Sequence, residues 1–159
     1  MSTPSDETLR QILRATKTIV AVGMSPNTIR PSNFVGRYLS YRGYRVIPVN
    51  PAHAGREFYG EVFRENLSEL ADEPVDMLDI FRRSEAVPPI VDEALDSIPS
   101  LKTVWMQVGV MNTQAASQAE AAGCKVVQNR CPKIEYQRLF GELRKAGFNT
   151  GILSSRLHL

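Results

Sequence analysis

Val20-Ala21-Val22-Gly23-Met24-Ser25-Pro26-Asn27-Thr28-Ile29-Arg30-Pro31-Ser32-Asn33 is the stretch that decides the fold. An apolar strand runs into Gly23, a polar turn follows, and Ser32 is predicted to cap a helix. A strand that leads through a glycine to a helix N-terminus is how an α/β sheet presents backbone N–H groups to a phosphate. The glycine spacing typical of dinucleotide-binding loops is missing, so the stretch leaves open which phosphate-bearing ligand it holds.

Outward from this stretch, apolar strands and helices alternate along the chain. The predicted strands cover residues 17–22, 44–49, 75–80, 103–108 and 125–128. The predicted helices cover residues 5–15, 32–41, 84–97, 112–122 and 132 to about 146. Because parallel strands need long, right-handed crossovers, this alternation predicts an α/β, Rossmann-like fold, a doubly wound parallel sheet with helices on both faces. We expect the five strands in the order 3-2-1-4-5.

The length and composition indicate one domain over residues 1–159, with a core over about 8–146 and a C-terminal tail over 147–159. An apolar fraction of 43% is ordinary for a globular protein, and 159 residues suffice for one core. No internal repeat or linker interrupts the pattern. The polar segment from about Ala52 to Asn66 is predicted to be an irregular loop.

Charge and composition argue against several classes of function. The net charge is +2, with 19 basic and 17 acidic side chains, so no basic stripe for nucleic acid is expected. No apolar run reaches membrane-spanning length, and residues 1–7 are polar, so a cytoplasmic location is expected. The cysteines Cys124 and Cys131 and the histidines His53 and His158 have no metal-site spacing, so no metal is expected.

Residues that follow the strands are the candidate site, because ligands bind beyond the carboxyl ends of parallel strands at the switch in strand order. The expected order puts that switch between strands one and four. The residues gathered at this edge are Gly23, Met24, Ser25, Asn50, Pro51, Phe81, Arg82, Arg83, Gln107, Val108, Gly109, Asn129, Arg130 and Cys131. With Arg30 and Lys133 they form a basic rim, which favours a polyanionic small ligand.

The end of the second strand argues against a nicotinamide cofactor. NAD-binding folds place Asp or Glu there to bind the adenosine ribose, whereas this chain has Asn50 and Pro51. An NAD(P)-dependent oxidoreductase remains an alternative, because NADP enzymes accept other residues at that position.

Several separate motifs, in order along residues 10–140, resemble those of the small stand-alone CoA-binding proteins. They also resemble the N-terminal CoA-binding domain of the succinyl-CoA synthetase α subunit. The motifs are Gly23-Met24-Ser25, Arg30-Pro31-Ser32, Gly43-Tyr44-Arg45-Val46-Ile47-Pro48-Val49-Asn50-Pro51, Val75-Asp76-Met77-Leu78-Asp79-Ile80-Phe81-Arg82, Val104-Trp105-Met106-Gln107-Val108-Gly109 and Asn129-Arg130-Cys131.

The resemblance implies that coenzyme A or an acyl-CoA is the ligand. Gly23 would let the backbone approach it, and Ser25 with its neighbouring amides would meet the phosphates. Arg30 and Ser32 would neutralise and hydrogen-bond those phosphates.

The same resemblance implies roles for the other strand ends. Asn50 and Pro51 would border the adenosine, and Phe81 and Arg82 would flank the nucleotide. Gln107 and Gly109 would line the floor toward the pantetheine arm.

The ligase of the resemblance needs a second domain with a phosphorylatable histidine, and neither His53 nor His158 lies in a matching motif. No catalytic residue is therefore predicted. The expected role is a non-catalytic binding module, with a regulatory protein partner as a further alternative.

Cys131 supports two interpretations. At the N-cap of the last helix, beside Arg130 and Lys133, its thiol pKa would be lowered, permitting a mixed disulfide with CoA or thiol-redox chemistry. Alternatively it is a small buried residue. On the third strand, Asp79 is a candidate partner for a basic residue of the rim.

Overall fold

The computed structural model describes residues 3–141. The predicted end of the last helix near residue 146 and the predicted tail over 147–159, which includes His158, lie outside the described residues.

Helices and strands alternate as the sequence predicts. The helices are α1 (Asp6–Ala15), α2 (Pro31–Tyr41), α3 (Val87–Ser97), α4 (Thr113–Ala121) and α5 (Pro132–Leu139). The strands are β1 (Thr18–Val22), β2 (Arg45–Val49), β3 (Glu57–Phe58), β4 (Glu61–Val62), β5 (Met77–Ile80), β6 (Thr103–Met106) and β7 (Lys125–Val127). Short 3₁₀ turns cover Pro51–His53, Leu67–Leu70 and Ser84–Ala86.

Five of these strands form a parallel sheet in the order β2-β1-β5-β6-β7, which confirms the predicted α/β, Rossmann-like class. In chain order the sheet strands read 2-1-3-4-5, so the expected order 3-2-1-4-5 is wrong. The switch in strand order therefore lies between β1 and β5, not between the first and fourth strands.

The outer edge of β2 explains the difference. The expected order needs that edge free for the third strand, but Arg64 bridges to Val49 there in parallel. The Arg64 N–H donates to the Pro48 carbonyl at 2.9 Å, and the Asn50 N–H donates to the Arg64 carbonyl at 3.0 Å. With this edge occupied, β5 pairs on the other side of β1, from Ile19 against Met77 onward.

The segment predicted to be an irregular loop contains the β3–β4 hairpin. Arg45 anchors the hairpin, because its Nε donates to Glu61 Oε2 at 3.0 Å and its other nitrogens reach Glu61 and Glu73. Sequence periodicity could not reveal two-residue strands, which are too short to show alternation.

Both faces of the sheet are covered. Val20, Leu78 and Val104 point into a core beneath α3 and α4. Ile19, Met77 and Trp105 point into a second core with residues of α1, α2 and α5. Successive strand residues face opposite sides, so continuous apolar runs such as Thr18–Val22 supply both cores.

Candidate functional site

The ends of β1 and β5 lie side by side at the switch in strand order. Val22 pairs with Ile80, and the Phe81 N–H donates to the Val22 carbonyl at 2.8 Å. Gly23 follows with φ +87°, and a Cβ there would lie 2.7 Å from the Phe81 oxygen and 3.1 Å from the Arg82 side chain. The structure thus brings Gly23, Phe81 and Arg82 together. A glycine is required at position 23 because a Cβ there would be too close to the Phe81 carbonyl oxygen.

The start of α2 differs from the prediction by two residues. Arg30 holds the N-cap position and Pro31 begins the helix, so Ser32 is not the N-cap. A proline at the first helical position fixes the helical φ and needs no hydrogen-bond acceptor, so it sets the boundary. The Ser32 hydroxyl accepts instead from the Ser25 N–H at 2.9 Å. That donor, expected to meet a phosphate, is used within the protein.

The β1–α2 loop (Gly23–Arg30) is held by two carboxamides. Asn50 Nδ2 donates to the Met24 carbonyl at 2.9 Å, while its Oδ1 accepts from the Ala52 N–H at 3.1 Å. Asn33 Nδ2 donates to the Ser25 carbonyl at 2.9 Å. Asn50 therefore ties the end of β2 to the loop, a role that sequence reasoning missed.

Two of the predicted residues at this end have contrasting exposure. Met24 is buried, and its side chain faces Gly36 of α2 so closely that a Cβ on Gly36 would overlap the Met24 methyl group. Pro51 is exposed and begins a 3₁₀ turn. The roles of Met24 and Pro51 in ligand binding stay predictions.

Backbone donors remain open near the start of α2. Among residues 3–141, no hydrogen bond is donated by the Thr28 or Ser32 N–H group. The first turn of α2 contains no acidic residue, Arg30 is exposed, and Arg82 is half-buried beside Gly23. Helix N-termini carry a partial positive charge, which favours anions.

The loop after β6 is braced from both sides. The Gly109 N–H donates to Asn129 Oδ1 at 2.7 Å, and the Met111 N–H donates to Ser84 Oγ at 3.0 Å. The sequence predicts that Ser84 caps the helix after β5, but it lies in a 3₁₀ turn ahead of α3 and accepts from Met111. Val108 and Met111 of this loop are exposed to solvent, at 59% and 56%.

Asp79 and Gln107 form a buried pair beneath this edge. Gln107 Nε2 donates to both carboxyl oxygens of Asp79, at 2.8 and 3.0 Å. Burial raises the pKa of Asp79 to about 7, because the charged form is poorly solvated, while the hydrogen bond from Gln107 acts in the opposite direction. The expected pairing of Asp79 with a basic residue of the rim is wrong, since its partner is Gln107.

The loop before α5 departs further from the expected rim. Arg130 Nη1 donates to buried Glu135 Oε1 at 2.9 Å, so this guanidinium is already paired. Lys133 is 0% exposed and lies over the Tyr38 ring at 5.4 Å, so it is no part of an exposed rim. Arg130 remains about one third exposed, so the ion pair with Glu135, and not burial, is what occupies its guanidinium.

Cys131 occupies the N-cap of α5 as predicted, but its thiol is not activated. The residue is 1% exposed, and burial raises the pKa of the thiol to about 12. The negative charge of Asp79 adds to this, while nearby N–H groups and Lys133 oppose it. The predicted lowering of the pKa is therefore wrong, and the alternative of a small buried residue describes Cys131.

Metal binding and membrane insertion find no support in the described chain. Over residues 3–141, no group of three or more His, Cys, Asp or Glu side chains is placed to hold a metal ion. In that same range, the helices are too short or too polar for any of them to span a bilayer.

Comparison with known proteins identifies the family. Residues 17–137 match the family model described as a CoA binding domain. The chain is 32% identical over 136 residues to the uncharacterized protein YneT of Bacillus subtilis (strain 168), covering 86% of this chain and 97% of that protein.

Solved structures agree with this relationship. The Thermus thermophilus structure of cell-free ID.343 has a TM-score of 0.80 and 39% identity, covering 86% of this chain and 100% of the other. A hypothetical protein from Pyrococcus horikoshii OT3 has a TM-score of 0.79 and 33% identity, covering 87% and 94%. This chain therefore belongs to the family of proteins built on the CoA binding domain.

Proposed function

We propose that the protein binds coenzyme A or an acyl-CoA, with the phosphates at the N-terminus of α2. One observation carries the proposal: the N–H groups of Thr28, just before α2, and Ser32, in its first turn, make no hydrogen bond among residues 3–141, and that turn follows Arg30 and holds no acidic residue. This corner borders the switch between β1 and β5, the usual ligand position in such a sheet.

The charge at this corner fits a polyanion. Exposed Arg30 and half-buried Arg82 have no ion-pair partner among residues 3–141, whereas Arg83 and Arg130 are paired with Glu85 and Glu135. Each charge-assisted contact contributes about 1.5–3 kcal/mol, and the helix terminus adds about 0.3–1 kcal/mol. Two free guanidinium groups and a helix N-terminus therefore give phosphates a clear preference for this corner.

The arm of the ligand would run along the sheet edge toward β6. Neighbouring strands lie about 4.8 Å apart, so the end of β6 is about 10 Å from the end of β1. Gln107 and Gly109 follow β6, and exposed Val108 and Met111 offer apolar surface beside them. A flexible pantetheine chain spans that distance with ease.

We propose binding without catalysis. The described groups with perturbed protonation near this edge are Asp79 and Cys131, and both are 1% exposed. A nucleophile or general base has to reach its substrate, and neither side chain does so in this arrangement. The high thiol pKa also weakens the alternative of a thiol-redox protein.

Calorimetry with CoA, acetyl-CoA, NAD, NADP and ATP tests the proposal. We expect CoA or acetyl-CoA to bind, and Arg30→Ala to weaken that binding by about 1–3 kcal/mol. Lys125→Ala is the matched control, because it removes one exposed cation where β7 begins, at the opposite edge of the sheet. Preferential binding of NAD or NADP would support the oxidoreductase alternative instead.

A further inference from the structure

Two hydrogen bonds set the orientation of the Gln107 carboxamide relative to the buried side chain of Asp79. Asp79 lies on β5 between Ala21 of β1 and Trp105 of β6, in the core beneath α5. Gln107, two residues beyond Trp105, reaches back over the strand end to both carboxyl oxygens.

Above its pKa of about 7, Asp79 is a carboxylate, which accepts hydrogen bonds and donates none, so it holds the amide nitrogen of Gln107 inward. The Oε1 atom on the other side of the same carboxamide then faces away from Asp79. Among residues 3–141, nothing donates to Oε1.

That oxygen is also open. Within the described chain, the fully enclosed side-chain polar atoms that lack a partner belong to Asn33, Arg37 and Gln118. Oε1 of Gln107 lacks a partner but is not one of these enclosed atoms. The exposed 7% of Gln107 therefore includes Oε1. The carboxyl end of β6 therefore presents Gln107 Oε1 as a side-chain hydrogen-bond acceptor.

Packing alone does not explain why a carboxyl group is buried at position 79. A carboxyl group at 1% exposure costs free energy that an apolar side chain of similar size avoids. Its hydrogen bonds go to one side chain, Gln107, and that side chain ends at the candidate site. The free-energy cost of burying Asp79 is explained if the orientation of Gln107 contributes to ligand binding.

We propose that Asp79 is a positioning residue that fixes Gln107, so that Oε1 accepts a hydrogen bond from an amide N–H of the ligand's pantetheine arm. This inference rests on the proposed function. The pantetheine arm carries two amide groups, and the end of β6 lies about 10 Å along the sheet edge from the end of β1, which leads into the phosphate corner.

Two ligands, both measured at pH 8 where Asp79 is charged, distinguish contacts to the arm: CoA, and adenosine 3′,5′-bisphosphate, which lacks the arm and the phosphate that carries it. In Gln107→Leu the acceptor is gone and the shape is nearly kept, so we expect CoA to bind about tenfold more weakly. The bisphosphate should bind as it does to the unchanged protein. In Asp79→Asn the new Nδ2 can donate to Gln107 Oε1, which reverses the carboxamide so that Oε1 no longer faces the ligand. We therefore expect the same loss of CoA affinity with unchanged affinity for the bisphosphate.

Reversing the pair provides a rescue. In the double variant Asp79→Asn, Gln107→Glu, the amide at position 79 donates to the carboxylate at position 107, which again shows an acceptor oxygen to the ligand. We expect CoA affinity to return to within about threefold of the unchanged protein. A purely structural role of Asp79 would give no such recovery.

The outcomes are distinct. Equal CoA affinity in Gln107→Leu and the unchanged protein, or equal losses for CoA and the bisphosphate, overturns the positioning role and leaves the proposed function standing. Failure of the unchanged protein to bind either ligand overturns both. If Asp79→Asn does not fold, Gln107→Leu decides the matter, because its side chain lies at the edge of the core.

Discussion

Gly23 lies against the backbone of Phe81 so closely that a Cβ at position 23 would be 2.7 Å from the Phe81 carbonyl oxygen. This contact joins the ends of β1 and β5, the two strands between which the strand order switches. It places the β1–α2 loop and Arg82 at one corner of the sheet, and that corner is the proposed phosphate site.

Gly23→Ala should destabilise the protein by about 2–4 kcal/mol, because it combines a left-handed backbone with a clash against a carbonyl oxygen. Urea unfolding followed by circular dichroism measures the change. Gly43→Ala is the matched control: its φ is +99°, yet nothing lies within 4 Å of the added Cβ. We expect about 1–2 kcal/mol there. Equal losses in the two variants would mean that the contact with Phe81 is unimportant.

Asn50→Asp should loosen the β1–α2 loop. The carboxylate can still accept from the Ala52 N–H, but it replaces the donor to the Met24 carbonyl with a negative charge. We expect CoA affinity to fall about fivefold or more, as for loss of one hydrogen bond with added repulsion. Calorimetry measures this directly.

The same variant tests the nicotinamide alternative, because it installs the acid that NAD-binding folds carry at the end of the second strand. We expect no gain of NAD binding, since residue 50 is committed to the loop. A variant that binds NAD more tightly than CoA would contradict the proposed role of Asn50.

Asp79 makes the stability depend on pH in a definite direction. The folded chain keeps the proton on Asp79 up to a pKa of about 7, whereas the unfolded chain releases it near 3.8. Unfolding therefore releases this proton between these values, and the contribution of Asp79 to stability falls as pH rises from about 4 to about 7.

The difference between the unchanged protein and Asp79→Asn isolates this effect from other titrating groups. Among residues 3–141, the thiol of Cys131 lies close enough to Asp79 for the carboxylate to raise its pKa, and Lys133 acts on the same thiol in the opposite direction. Chemical unfolding at pH 4.5, 6 and 7.5 should show the unchanged protein losing stability relative to the variant with rising pH. A constant difference over that range would contradict the raised pKa.

The two cysteine thiols should resist modification in the folded protein. Cys131 is enclosed and its thiol pKa is raised to about 12, and burial also raises the pKa of Cys124. We expect a thiol reagent at pH 8 to label both quickly in denaturant and neither at a comparable rate in the native state.

A control with an accessible thiol completes that experiment. Thr3→Cys places a cysteine at an exposed position near the described N-terminus, and it should react at the rate of a free thiol. Fast native labelling of Cys131, tested in a Cys124→Ser background, would restore the hypothesis of a mixed disulfide with CoA.

Local patterns in the sequence determined which elements form. Periodicity depends on neighbouring residues, so the five strands of the parallel sheet, the helices and the α/β class could be predicted, whereas the two-residue strands β3 and β4 could not. The helix predicted over residues 112–122 begins at an Asn112 cap, a signal the sequence carries because a capping side chain bonds to an N–H only three residues away. The motifs that resemble CoA-binding proteins are also local, and the family match confirms them.

Only the tertiary structure decided the relations between distant segments. The place of β5 depends on whether the edge of β2 is free, and Arg64 occupies it. The hydrogen-bond partner of Asp79 is Gln107, 28 residues away. The burial of Cys131 depends on how α5 packs against the sheet. Burial reverses the expected direction of a pKa, and no run of neighbouring residues reveals burial of that kind. The sequence alone thus determined the kinds of element and the family, while long-range packing decided the strand order, the protonation of the buried groups and the arrangement of the site.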